Sequence, residues 1–142
     1  MRMKQLIAII AALVWSVTAS AQASLFKGTF VSEETGIQLH LDLEEETIEV
    51  PGLSFIGPTH GYLDGKTNNH VYGTWMLVKF SVEGNKAKLR FTNDIGSDSQ
   101  DIVLVYNDDD KIDYNTTGGN CIRKVENRKL VKTQSSTTLH KK

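Results

Sequence analysis

One cysteine, Cys121, is all that the chain contains, so no internal disulfide can form and the fold must rest on its core and its hydrogen-bond ladders. That thiol reads most simply as a small buried apolar side chain. Beyond the first two dozen residues no apolar run approaches the ~20 residues that a bilayer-spanning helix needs. No stretch has the period of an amphipathic helix, no segment repeats, and no serine sits in a Gly-x-Ser-x-Gly elbow. Positive charge is scarce over most of the length: residues 32–113 hold 16 acidic and 6 basic side chains. Nucleic-acid grooves and anionic membranes both demand a contiguous positive surface, so an acidic body argues against either as the main target.

What is present starts with a leader. Met1, Arg2, Met3 and Lys4 precede the apolar run Leu6 to Val14, and Thr18 to Ala23 supply small side chains in two Ala-x-Ala arrangements. This is the pattern of a secretory signal peptide over residues 1–23, with cleavage before Gln22 or Ser24. The run is too short to span a membrane, and no cysteine stands at the new N-terminus to carry a lipid. A periplasmic or secreted protein is expected.

Alternation with period two dominates the rest. Ile37, Leu39, Leu41 and Leu43 interleave with Gln38, His40 and Asp42, and Ala87, Leu89 and Phe91 interleave with Lys86, Lys88 and Arg90; each gives one apolar and one wet face. Glu44 to Glu46 read as the turn of a hairpin that returns over Thr47 to Val50 and stops at Pro51-Gly52. A long strand runs from Tyr72 to Val82, and further strands are expected at 25–31, 53–56, 102–106, 112–114, 121–125 and 129–132. Asp108, Asp109 and Asp110 carry calcium-like chemistry, but without the bend glycine and distant glutamate of a calcium loop they read as a solvated turn. Eight to ten short strands without a helix predict an all-β fold, a single antiparallel up-and-down barrel or a closely related β-sandwich. The domain is expected over residues 24–132, and residues 133–142 as a disordered basic tail.

The segment Gly73, Thr74, Trp75, Met76, Leu77, Val78 resembles the Gly-x-Trp strand of lipocalin-like and calycin-like β-barrels, where glycine lets the chain bend and tryptophan plugs one end. In typical lipocalins the motif opens the first strand, whereas four candidate strands precede it here. The arrangement and the leader are more similar to the small exported calycin-like proteins of the Bacteroidetes. That resemblance implies an up-and-down barrel over residues 25–132 and no particular ligand.

Three sets of residues are candidates for function. Tyr62, Tyr72 and Trp75 lie in or beside Gly57 to Asn69, the longest irregular stretch, and aromatic side chains suit the mouth of a pocket. They point to a small apolar or amphipathic ligand held at the barrel mouth, with no catalysis and no cofactor. The acidic excess of residues 32–113 points instead to a protein-binding module, an inhibitor or immunity protein with a basic envelope protein as partner. His60, Asp64 and His70 could supply two imidazoles and a carboxylate to a metal-dependent hydrolase, although spacings of four and six residues are not diagnostic. His40 reads as a surface residue, or as a lumen residue if the wet face turned inward.

Overall fold

The structure, a computed structural model, describes residues 22–93 and 96–142; the expected leader lies outside them but for its last two residues. Among the described residues ten strands form: β1 (Lys27–Val31), β2 (Ile37–Asp42), β3 (Gly61–Gly65), β4 (Trp75–Glu83), β5 (Lys86–Asn93), β6 (Ser99–Tyr106), β7 (Lys111–Thr117), β8 (Arg123–Glu126), β9 (Lys129–Lys132) and β10 (Ser136–Lys141). Eight of them close into an antiparallel barrel in the order β1-β10-β7-β6-β5-β4-β3-β2, and β8 and β9 form a separate two-stranded sheet. Closure excludes the sandwich alternative and leaves the eight-stranded sheet without an edge. Among the described residues no helix is long and apolar enough to cross a membrane.

Alternation decides which side chains fill the barrel. Phe30, Leu39, Leu63, Leu77, Leu89, Phe91, Ile102, Leu104, Tyr114 and Leu139 all point inward and are buried, leaving the lumen filled with side chains as expected for eight strands. Strand β4 keeps Trp75 and Leu77 inside, and then a bulge between Leu77 and Lys79 adds one residue. The bulge exchanges faces. Beyond it Phe80 and Val82 pack toward the core while Val78 is half exposed, which explains why no single alternation fits Tyr72 to Val82.

Several expectations are corrected. Residues 133–142 are not a disordered tail: β10 pairs with β7 from Ser136 to His140 and with β1 at Phe30 and Val31, and it completes the barrel. Its composition concealed this because Leu139 is its one apolar side chain, and its stability comes from ladders on both sides. The segment 47–50 makes no hairpin with β2; Ile48 forms a lone bridge to Thr59, and β2 pairs with β3 from Ile37 to Leu41. Asp42 turns the chain away by accepting the Glu44 and Glu45 N–H groups and the Thr47 hydroxyl at 2.6 Å. Residues 54–56 form a 3-10 turn rather than a strand, and the stretch Gly57 to Asn69 contains β3. Asp109 and Asp110 occupy the turn before β7 at positive φ, as suits a tight polar turn.

Candidate functional site

The two ends of the barrel are built from different connections. One end carries the loops 32–36 and 66–74, residues 96–98 and the long connection 118–135 with its β8–β9 hairpin; the other carries residues 43–60 and the turns before β5 and β7. A depression of about 410 Å³ opens at the first end. Its walls come from the β3–β4 loop (Asn68, Tyr72, Gly73, Thr74), the β5–β6 connection (Asn93, Ser97, Asp98) and the hairpin (Cys121, Arg123, Leu130), over the nearly buried indole of Trp75.

Each wall has a local cause. Thr67 gathers the β3–β4 loop: its carbonyl accepts the His70 N–H at 3.0 Å and its hydroxyl meets His70 Nδ1 at 3.0 Å. Gly65 permits the fold-back, since a Cβ there would lie 2.7 Å from the Thr67 carbonyl oxygen. Val71 is buried and Tyr72 therefore projects outward, 54% exposed. Asn93 shapes the next wall, donating to Ser97 Oγ at 3.1 Å and accepting the Asp98 N–H at 3.3 Å. The hairpin is carried across the end by Gln100, which is buried and whose amide donates to the carbonyls of Asp101, Thr117 and Gly119 and accepts the Cys121 N–H. The Tyr72 N–H then donates to the Arg123 carbonyl at 2.7 Å. Arg123 Nη1 donates to the Asn120 carbonyl at 2.9 Å, and its guanidinium makes no salt bridge among the described residues.

Of the three aromatic candidates, Tyr72 and Trp75 share this depression and Tyr62 does not. Tyr62 stands opposite Met76 while its neighbour Leu63 stands opposite the inward Trp75, so the phenol belongs to the outer wall. There it stacks on His40 with ring centroids 4.3 Å apart. His40 Nε2 lies 3.0 Å from Asp64 Oδ1 and Nδ1 lies 3.3 Å from Thr29 Oγ1, while Gln38 donates to Asp64 at 3.1 Å. Burial and the Asp64 carboxylate raise the Tyr62 phenol above its ordinary pKa, keeping it neutral. His40 thus lies outside the lumen, as one member of a polar cross-strand row.

The proposed metal trio does not assemble. His60 Nδ1 donates to the Asp42 carbonyl at 2.9 Å, with Nε2 3.8 Å from Glu46 and the ring edge-on to Phe80, at the end of the barrel away from the depression. Asp64 is committed to His40 and Gln38, and His70 to Thr67. Among the described residues no group of three His, Cys, Asp or Glu side chains could hold a metal ion. Cys121 is half-buried beside the depression rather than part of the core.

Sequence reasoning missed Arg123, Leu130, Asn93 and Asp98, which come to the mouth only when the chain crosses the barrel end; the run of basic residues after 121 was the one hint. A second, slightly larger groove of about 470 Å³ lies along the outer wall beside Lys79, Lys88 and Arg90, but there the guanidinium is already held by Asp101 at 2.8 and 3.2 Å. No protein-family model, no curated protein and no solved structure matches the chain.

Proposed function

We propose that the protein is an exported, non-catalytic binding module of the periplasm or cell exterior that takes a small amphipathic ligand at its barrel mouth. The observation that carries this is the depression of about 410 Å³ over Trp75, within the size range of small-molecule sites, roughly 300 to 1,000 Å³. Tyr72, Trp75 and Leu130 offer apolar contact, while Arg123, Asn93 and Asn68 offer polar groups to one end of a guest. The guanidinium, which makes no ion pair among the described residues, favours an anionic head. The filled lumen confines the guest to the mouth.

Residues 22–142 contain Trp75 as their sole tryptophan, which supplies a direct readout. Titration with 8-anilinonaphthalene-1-sulfonate, an aromatic anion, is expected to change Trp75 fluorescence saturably. Tyr72→Ala and Arg123→Gln should each weaken that binding about ten-fold, the effect of ~1.4 kcal/mol. A linear, unsaturable response, or variants that bind as well as the parent, would remove the reading.

A second reading is favoured by the opposite end, where Phe55 is 82% and Ile56 44% exposed in a loop with Glu44, Glu45, Glu46 and Glu49. An apolar tip flanked by carboxylates suits a basic protein partner with an apolar socket.

A further inference from the structure

Resting on the mouth-pocket reading, we infer that the same end of the barrel docks on an anionic lipid surface and draws its amphipathic guest from there. The β8–β9 hairpin lies outside the barrel sheet and carries Arg123, Lys124, Arg128, Lys129 and Lys132 within ten residues, against one carboxylate, Glu126, which pairs with Lys124 at 3.3 Å. Its tip turns through Asn127 and Arg128 at positive φ, and the side chains of residues 126–130 are exposed. Two large apolar side chains, Leu130 and Tyr72, each 54% exposed, stand in this cationic setting and both line the depression. An apolar wedge among lysines and arginines is the composition of an interfacial anchor: the cations meet lipid phosphates and the wedge enters the boundary of the acyl region.

Charge elsewhere fixes the orientation. Glu44, Glu45, Glu46, Glu49 and Asp108 to Asp110 all lie at the opposite end, turned away from a negative surface; of the described acids near the mouth, Glu33 is neutralised by Lys66 at 2.8 Å, Glu34 is exposed and accepts hydrogen bonds from Gln134 at 3.3 Å and Thr137 at 3.4 Å, and Asp98 lies within the depression. The acidic total of residues 32–113 therefore does not describe the face that would approach a bilayer. Screening over ~8 Å at physiological ionic strength lets the near end act largely independently of the far one. A nucleic acid or an acidic protein would use the cations but leave Leu130, Tyr72 and the opening between them without a role; a bilayer uses all three.

The test is co-sedimentation of residues 22–142, which carry the whole barrel, with vesicles of phosphatidylcholine alone and of phosphatidylcholine with phosphatidylglycerol. Binding is expected only to the mixed vesicles and should be released by high salt. The double variant Arg128→Glu and Lys129→Glu should weaken it at least ten-fold, since each cation near an anionic surface changes partitioning by roughly five-fold. Leu130→Ala, which keeps every charge, should weaken it several-fold, and Lys88→Glu on the outer wall should leave it within about two-fold. No binding to mixed vesicles, a Lys88→Glu loss as large as that of the double variant, or equal affinity for double-stranded DNA that ignores Leu130→Ala would each overturn the inference. Saturable probe binding to the mouth without vesicle binding would sink the docking alone, whereas vesicle binding without probe binding would sink the pocket and, with it, the lipid-derived guest.

Discussion

The two ends of this barrel solve one problem in two chemistries. At each, a long connection must leave the sheet and return, and at each a single buried polar side chain organises it: Asp42 for residues 43–60 and Gln100 for residues 118–135, both 2% exposed. Each end is also stoppered by a buried aromatic, Trp75 at the mouth and Phe26 at the far end, where Phe26 meets Tyr106 edge-on at 6.4 Å. The amide serves both donors and acceptors and is indifferent to pH, so it suits a crossing in which its two N–H hydrogens are shared among three carbonyls and its oxygen takes one backbone N–H. The carboxylate only accepts, so it suits a turn that presents N–H and O–H groups. The mouth is consequently held by neutral contacts beneath a cationic hairpin, and the far end by a charge beneath an acidic loop.

The largest effect expected in testing that contrast is at the mouth. Gln100→Leu leaves four backbone partners without their amide, and about 3 kcal/mol of stability should be lost, with the β8–β9 amides exchanging first in hydrogen-exchange measurements. Equal protection of the hairpin in the variant would show that the crossing does not depend on this residue. Next is Asp42→Asn, expected to cost about 2 kcal/mol at neutral pH because a charge-assisted set of three hydrogen bonds is weakened. Burial alone would raise the Asp42 carboxyl, but the Thr47 hydroxyl, the Glu45 and Glu44 N–H groups and Lys27 outweigh it and hold the pKa below the ordinary carboxylate value. A depressed folded-state pKa contributes stability that is fully present above the ordinary carboxylate range, about 4, and is lost as pH falls through the lowered value. The parent should therefore lose stability on acidification more steeply than Asp42→Asn, while Gln100→Leu should track the parent's slope; chemical denaturation at several pH values distinguishes these.

Smaller still is Tyr114→Phe, midway between the ends. The Tyr114 hydroxyl is buried without a hydrogen-bond partner among the described residues, and burial pushes its pKa up; removing the hydroxyl should raise stability by about 1 kcal/mol. A loss instead would mean that the hydroxyl has a partner inside the barrel. Smallest is Arg90→Gln, which breaks an exposed, solvent-screened ion pair with Asp101 and should leave the thermal midpoint essentially unchanged, with neither end affected.

How much of this could be read from residues alone differs between the ends as well. The strands that alternate cleanly, 37–42 and 86–93, were legible because each buries one face and wets the other. The bulge in β4 was not, since one inserted residue reverses the alternation without leaving a mark in composition. Strand β10 was hidden for a related reason: Ser136 to Lys141 offer almost no hydrophobic signal, and only two neighbouring strands, one at the far end of the chain, give that backbone its partners. Tyr72 and Trp75 were found as aromatic residues beside a loop, and Tyr62 was grouped with them by proximity in sequence although strand parity places it on the other face of the sheet.

Local order of apolar and polar side chains, together with turn residues such as Pro51-Gly52 and Asp108 to Asp110, determined the all-β class and most strand positions, because those preferences act within a few residues. Barrel closure, the crossing of the mouth by the basic hairpin, and the separation of acidic from basic ends were decided by tertiary structure. Each depends on pairings between segments tens of residues apart, such as Phe30 with Lys141 and Tyr72 with Arg123, and the hydrogen bonds that fix them join backbone groups that every residue type except proline carries alike.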